Sequence, residues 1–440
     1  MSILKLWQFT DTHLYARNGQ PQDHYSCAIL DAGLEAFLNE PNCGILLISG
    51  DLTQNGHADE HRALIPRLRR VQEAGKRVYV ITATHDYGLD FIEECPDDGA
   101  NPLDRPNGKM YQSDLRGLYD EFGFRDAIAE FGRSSYVARL APNVRLLALN
   151  DDGDGREFCG YYEEQMRWAI EQIERAKQNG EIILGMTHHP TIPPSPIYPM
   201  ISARDMLGNY EETTDRLGDA GLRAMFTGHT HMHNIAAKAS PNGNPYRDIN
   251  TCSLSAYPGY FREITLDGRR MSITTKTLPN FHYAPANMPI NEFLEKDFDS
   301  FLRNLIENAA NDYETFANSC GGLSVSYERA MKMKFPLHYA AKYINKATLG
   351  SVARLLLCKI PKGVKKQSFK ELFLELVRNI YAGNEKYGPE TEVGQALTAF
   401  ARRADRLIGK RLPDFLRPLP AFVSSLIYDP IPDDKAEIDL

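Results

Sequence analysis

From Met1 to about Pro279, short apolar runs rich in β-forming residues alternate with segments whose apolar positions recur at helical spacing. The runs Ile3–Phe9, Gly44–Ser49, Val78–Thr82, Val144–Leu149, Ile182–Met186 and Ala224–Phe226 predict strands, and Tyr162–Gln178 predicts a helix among them. That alternation predicts an α/β or α+β layered domain with a well-covered sheet. Past "TGHTH" the pattern changes: "YPGYFREITLDGRRMSITTKTL" predicts a meander of two strands around the turn pair Asp267-Gly268. "PNFHYAPANMP" reads as a Pro/Asn-rich linker, and the chain beyond it predicts helix. Phe298, Phe301, Leu302, Leu305 and Ala309 share one helical face, as do Phe369, Leu372, Leu376 and Ile380, and Leu397, Phe400, Ala401 and Ala404. Residues 1–280 are therefore expected as one domain and residues 290–440 as a second, all-helical one of about four to six helices.

Several predicted strands end on the same chemistry. Asp11 and His13 follow the first in "TDTH", Asp51 the second in "GD", and Thr84 and His85 the third in "ATHD". His188 and His189 stand in "THHP", His229 and His231 in "GHTH". Open α/β sheets gather ligands at the carboxyl ends of their strands, so these groups converge if the strands are neighbours. Two carboxylates with several imidazoles suit Zn, Mn or Fe, whereas Ca and Mg prefer oxygen-only shells. Two such ions about 4 Å apart need a shared anionic ligand and clamp the attacking and leaving oxygens of a phosphoryl displacement. Asp51 is the natural bridge. Gly50 and Gly228 are expected where the backbone passes close to the ions or takes unusual dihedrals. Each fragment alone has a plainer meaning: a turn, a loop, or a helix cap followed by a surface histidine. Their joint occurrence, each at the end of an apolar run, points to a metal centre.

Bulk composition narrows the classes. The chain has 440 residues, 42% hydrophobic and 25% charged, as in an ordinary globular protein. Its net charge of −8 argues against wholesale coating of nucleic acid. No apolar run approaches the roughly 20 residues of a membrane span, and the chain enters "FTDTH" too early for a secretory segment, so a cytoplasmic location is expected. Seven scattered cysteines without a C-x-x-C (Cys27, Cys43, Cys95, Cys159, Cys252, Cys320 and Cys358) read as free thiols.

In this order the motifs resemble the calcineurin-like metallophosphoesterase family, whose pattern is D-x-H, G-D, G-N-H-[D/E], H and G-H-x-H. Here it stands as Asp11-Thr12-His13, Gly50-Asp51, Ala83-Thr84-His85-Asp86, His188 and Gly228-His229-Thr230-His231, over roughly residues 1–275. The resemblance implies a β-sandwich flanked by helices and a centre of two divalent ions (Mn, Fe or Zn). It implies Asp11, His13, Asp51 and His231 around the first ion, and Asp51, the Thr84 position, His188 and His229 around the second. His85 is implied as the residue that contacts the phosphate and protonates the leaving oxygen, with a water or hydroxide between the ions as nucleophile. Thr84 departs from the pattern, replacing a ligating amide oxygen by a shorter hydroxyl; it is either a weak ligand or a hydrogen-bond donor that does not touch the ion. His189 is read as a neighbour of the ligands, with His188 the ligand and the reverse assignment left open.

"GDLTQNG", "THHP" and "TGHTH" look most like the class III cyclic-nucleotide phosphodiesterase branch. A small anionic phosphodiester is the expected substrate, with phosphomonoester or glycerophosphodiester hydrolysis as alternatives and a non-catalytic metal-binding scaffold as a different class. A nuclease is disfavoured because residues 1–280 carry a net charge of about −10. A lipid-precursor pyrophosphatase of the family has Arg where His85 stands. Residues 329–411 hold 18 Lys/Arg against 6 Asp/Glu, a local +12, which is either a solvated surface or a contribution to holding an anionic substrate.

Overall fold

The computed structural model describes residues 3–17, 20–21, 25–88, 101–105, 108–132, 134–153, 159–201, 206–283, 286–320, 326–411 and 416–440. Cys95 lies outside them; none of the six cysteines within them is joined in a disulfide among the described residues. The chain forms two compact units, one of residues 1–194, 204–295 and 433–440, the other of 195–203 and 296–432.

The first unit is built on two sheets. Their strands are β1 (Leu4–Phe9), β2 (Ile45–Ser49), β3 (Arg77–Ile81), β4 (Ala129–Phe131), β5 (Ser135–Ala141), β6 (Val144–Ala148), β7 (Ile182–Met186), β8 (Ala224–Thr227), β9 (Asn234–Ala239), β10 (Pro245–Asn250), β11 (Tyr260–Asp267), β12 (Arg270–Thr277) and β13 (Lys435–Asp439). One sheet runs β13-β12-β11-β1-β2-β3, the other β9-β10-β8-β7-β6-β5-β4. The strands that carry the chemistry are parallel neighbours: β1 pairs with β2 and β2 with β3, while β7 pairs with β8.

The period of two sorts the core. Leu6, Ile45, Leu47, Tyr79 and Ile81 face Leu146, Ala148, Leu184, Met186 and Phe226 of the other sheet. Their alternates Trp7, Phe9, Leu46, Ile48, Val78 and Val80 pack on the helices α1 (Ser26–Asn39) and α2 (Ala58–Glu73). On the far side Leu147, Ile183 and Met225 meet α3 (Glu163–Gln178) and α4 (Tyr210–Ala220). The result is helix, sheet, sheet, helix, the flanked sandwich expected. Because both faces of each central strand are covered, these strands read as unbroken apolar runs.

The remaining strands escaped the sequence pattern for physical reasons. In β10, Asp248 and Asn250 are buried yet polar, because they serve loops at the strand ends. The supposed linker is an antiparallel ribbon, Asn280–Tyr283 with Ala286–Pro289. The end of the chain departs from the all-helical expectation for 290–440: β13 pairs with β12, Ile273 lying opposite Ala436. The link to β13 satisfies buried groups that the sheet leaves open. Arg262, fully buried, donates to Thr275 Oγ1 (2.7 Å) and to the carbonyl of Asp433, whose Oδ1 accepts the Ile235 amide at 2.6 Å.

Eight described helices follow residue 289, rather than four to six, because several are short. Phe369–Ala382 is capped by the Ser368 side chain and ends on Gly383 at φ 62°; Glu392–Ile408 is capped by Thr391. Leu372, Leu397 and Phe400 of the predicted stripes are core, packed with Leu349, Ile360 and Ile427. Among the described residues no helix is long and apolar enough to cross a membrane.

Candidate metal centre

The carboxyl ends of β1, β2, β7 and β8 meet, and the groups predicted from the sequence separate into two clusters. Asp11, His13 and His231 form one; Asp51, His188 and His229 form the other. In each cluster the ligand atoms lie within 4.8 Å of one another. Each cluster draws on both sheets.

The local backbone is unusual. Asp11, His13, Asp51, His229 and His231 all have positive φ, between 40° and 69°, and make up five of the seven non-glycine residues that do so among those described. Left-handed backbone costs an L-residue about 1–2 kcal/mol. Such strain persists only where the surroundings enforce it, and it concentrates at functional sites. Here the loops after β1 and β2 run side by side: the Asp11 amide donates to the Gly50 carbonyl at 3.1 Å and the His13 amide to the Asp51 carbonyl at 3.0 Å. Gly50 has φ 97°, and a Cβ there would lie 2.4 Å from His188 Nδ1. At Gly228 a Cβ would stand 2.4 Å from Asp11 Oδ2, so close approach alone demands glycine.

Hydrogen bonds aim the donors. Asp11 Oδ2 accepts from Thr10 Oγ1 (2.6 Å) and from the His229 amide (2.9 Å), leaving Oδ1 3.7 Å from His13 Nε2 and 3.4 Å from His231 Nε2. Asp51 Oδ1 accepts the His85 amide (3.1 Å), while its Oδ2 lies 3.8 Å from His13 Nε2 and 3.2 Å from His188 Nε2. His188 Nδ1 donates to the Ser49 carbonyl (2.8 Å), which turns Nε2 towards Asp51 Oδ2 and His229 Nδ1.

The donor set fits cations. Imidazole nitrogens face each other at 3.1 Å (His13 and His231) and 3.2 Å (His188 and His229), and buried His13 Nδ1 and His229 Nε2 have no hydrogen-bond partner among the described residues. Burial pushes His13 down to about 3 and His229 well below the ordinary histidine range, so both present lone pairs. Burial also works to raise Asp11 and Asp51, but the surrounding imidazoles outweigh it and hold both carboxyls below their usual range. Burial works to lower His188, but Asp51 outweighs it and holds that imidazole well above the ordinary histidine range, so a divalent ion, which binds anionic carboxylates and neutral imidazoles, would displace its proton.

His85 stands beside the clusters, its ring 4.8 Å from that of His13 and edge-on to it. Its Nδ1 donates to the Gln54 carbonyl at 2.7 Å, leaving Nε2 as the free nitrogen. Asp86 pins this turn by accepting the amides of Ala83 (2.9 Å) and Thr53 (2.8 Å). Thr84 opens the same 3-10 turn, half-buried, and its hydroxyl makes no hydrogen bond among the described residues. His189 turns instead to Asp151 (Nδ1 to Oδ1, 3.1 Å), so His188 is the histidine that joins a cluster.

Sequence reasoning missed three organising residues. Asp151 accepts the amides of His188 and His189 (3.1 and 2.7 Å) and the Thr187 hydroxyl (2.7 Å). Asp248 accepts the Thr191 amide and the Thr227 hydroxyl, both at 2.5 Å. Asn250 bonds the Gly228 carbonyl (2.7 Å) and receives the Thr230 hydroxyl (2.8 Å), holding "GHTH" in shape. None belongs to a motif; their signal is only a polar residue within or just after an apolar run.

Solved structures with which the chain aligns include a dimetal phosphatase from Danio rerio, at 16% identity over 62% of this chain and 95% of that one, with a TM-score of 0.42. A purple acid phosphatase from yellow lupin (Lupinus luteus) seeds aligns at 11% identity over 66% of this chain and 52% of that one, TM-score 0.41. The NAD nucleotidase of Haemophilus influenzae aligns at 13% over 79% and 62%, TM-score 0.37. No curated protein sequence matches. Residues 4–233, more than half of the chain, match the family model described as calcineurin-like phosphoesterase, and with that match the chain belongs to the calcineurin-like phosphoesterase family, as a metal-dependent phosphoester hydrolase.

Proposed function

We propose that this hydrolase cleaves small anionic phosphodiesters, cyclic nucleotides among them. Asp11, His13, Asp51 and His231 would hold one divalent ion, and Asp51, His188 and His229 a second, with Thr84 beside it. The observation that carries this reading is the placement of Asp51 Oδ2, 3.8 Å from His13 Nε2 and 3.2 Å from His188 Nε2. When bound, the two ions supply Lewis-acid charge and orientation to a phosphoryl group.

The chain's own residues supply the rest. His85, with Nδ1 committed to Gln54, has Nε2 free to give a proton to the leaving oxygen. Among the described residues no Lys or Arg is hydrogen-bonded or ion-paired to any of the candidate ligands. Among the described residues positive charge at the centre would then come chiefly from the bound ions, which suits the single negative charge of a diester better than the second charge of a monoester. The test is the purified protein with added Mn2+ against bis-p-nitrophenyl phosphate, p-nitrophenyl phosphate and cyclic AMP. Higher kcat/KM on the diesters is expected; a clear preference for the monoester overturns the diester assignment.

A further inference from the structure

We infer a second anion site, for a nucleoside phosphate, within the helical unit. A cavity of about 580 Å³ opens there, lined by residues of that unit only, among them Arg354, Lys359, Lys365 and Lys366 but no carboxylate. Its volume falls within the range of small-ligand sites.

The cavity is a built one. Its walls are α5 (Leu349–Leu355) and the strap 359–367, tied by the Leu349 amide to the Gln367 carbonyl (3.0 Å) and the Gly350 amide to the Lys365 carbonyl (2.9 Å). A Cβ at Gly350 would come within 2.8 Å of that Lys365 carbonyl, so the two backbones are in close contact. Beyond α5 the chain turns at Leu357, which holds φ 53°, and the Cys358 amide then closes on the Ala353 carbonyl at 3.0 Å.

Charge and polarity indicate the ligand. None of the four cations has an ion-pair partner among the described residues. Elsewhere in the unit some basic side chains are paired, Arg303 and Arg378 with Asp299, Lys370 with Glu307, Lys386 with Glu375, while others such as Lys342, Lys346 and Arg402 have no ion pair among the described residues. The four at the cavity are exposed to solvent, and together they give it a positive lining that would attract a multivalent anion. Ala353 and Ile360 provide an apolar part of the lining. An apolar lining beside these cations matches a ligand with a ring at one end and phosphates at the other. Lysines are apt phosphate partners as point charges. The site shares no residue with the metal centre, so the two readings fail independently.

Cys358 lines the cavity and provides the readout. The full-length protein is held in chelator, so that phosphates do not engage the metal centre, and alkylated at alkaline pH because burial pushes the Cys358 thiol up. Modification of Cys358 is mapped by mass spectrometry with ADP, pyrophosphate or inorganic phosphate present, and binding is measured by calorimetry. ADP is expected to shield Cys358 and to bind more tightly than inorganic phosphate. The double variant Lys365→Gln/Lys366→Gln, checked for folding by circular dichroism, is expected to weaken ADP at least about tenfold. Added salt should weaken binding to the wild type. Failure of ADP to shield Cys358, or equal shielding in the double variant, overturns the site. Equal affinity for ADP and inorganic phosphate overturns the nucleoside assignment, and much tighter binding of an oligonucleotide overturns the small-ligand assignment.

Discussion

Asp51 Oδ2 faces His13 Nε2 at 3.8 Å and His188 Nε2 at 3.2 Å, so one carboxylate oxygen stands between the two clusters. Asp51→Asn removes its charge and one of its acceptor oxygens. Loss of residues that merely orient a ligand lowers affinity or activity about 10–100-fold, so losing a shared ligand should cost more than about 100-fold. Metal content by elemental analysis should fall in step with rate. Near-normal turnover with full metal content would show that the clusters do not share this group.

His85 donates through Nδ1 to Gln54 and belongs to neither cluster. His85→Ala is therefore expected to leave metal content unchanged and to lower the rate by about 10²–10⁴ on alkyl phosphodiesters, the usual reach of a general acid. The nitrophenyl ester should suffer less, because its leaving group scarcely needs a proton. Equal losses on both substrates would leave His85 only a binding role.

Thr84 carries a short hydroxyl where the family pattern has an amide oxygen. Thr84→Asn should hold the second ion more tightly and shift the dependence of activity on free Mn2+ to lower concentration. An unchanged or right-shifted titration would mean that the threonine is already well placed or that another residue has taken over the role.

His61 gives a pH dependence unrelated to catalysis. It is buried, its Nε2 bonded to the Asp86 carbonyl (3.0 Å) and its Nδ1 to the Tyr119 hydroxyl (2.7 Å). Burial pushes its pKa down to about 4 from 6.5. The unfolded chain binds a proton in that window and the folded one does not, so this contribution is full above pH 6.5 and lost as the pH falls towards 4. The loss amounts to about 2 kcal/mol at pH 5. Urea midpoints at pH 7 and pH 5 should show the wild type losing about that much more than His61→Gln. Equal losses would mean that the imidazole takes up its proton without unfolding.

The apolar runs, the layered class and the six residues that form the two clusters were legible along the chain because each is a local property. A strand buried on both faces is continuously apolar, and a carboxylate or imidazole follows directly at its end. What only the tertiary structure decided depends on partners far away in sequence. His231 meets His13 across 218 residues, and Asp11, His13, Asp51, His229 and His231 are held left-handed by neighbouring loops rather than by their own preferences. Asp151, Asp248 and Asn250 were invisible because a buried polar residue with satisfied hydrogen bonds looks, in one dimension, like an exposed one. β13 was hidden for a related reason: "KAEID" is too short and polar to announce a strand, and it becomes one because β12 offers an open edge while the preceding Asp433 meets the buried Arg262.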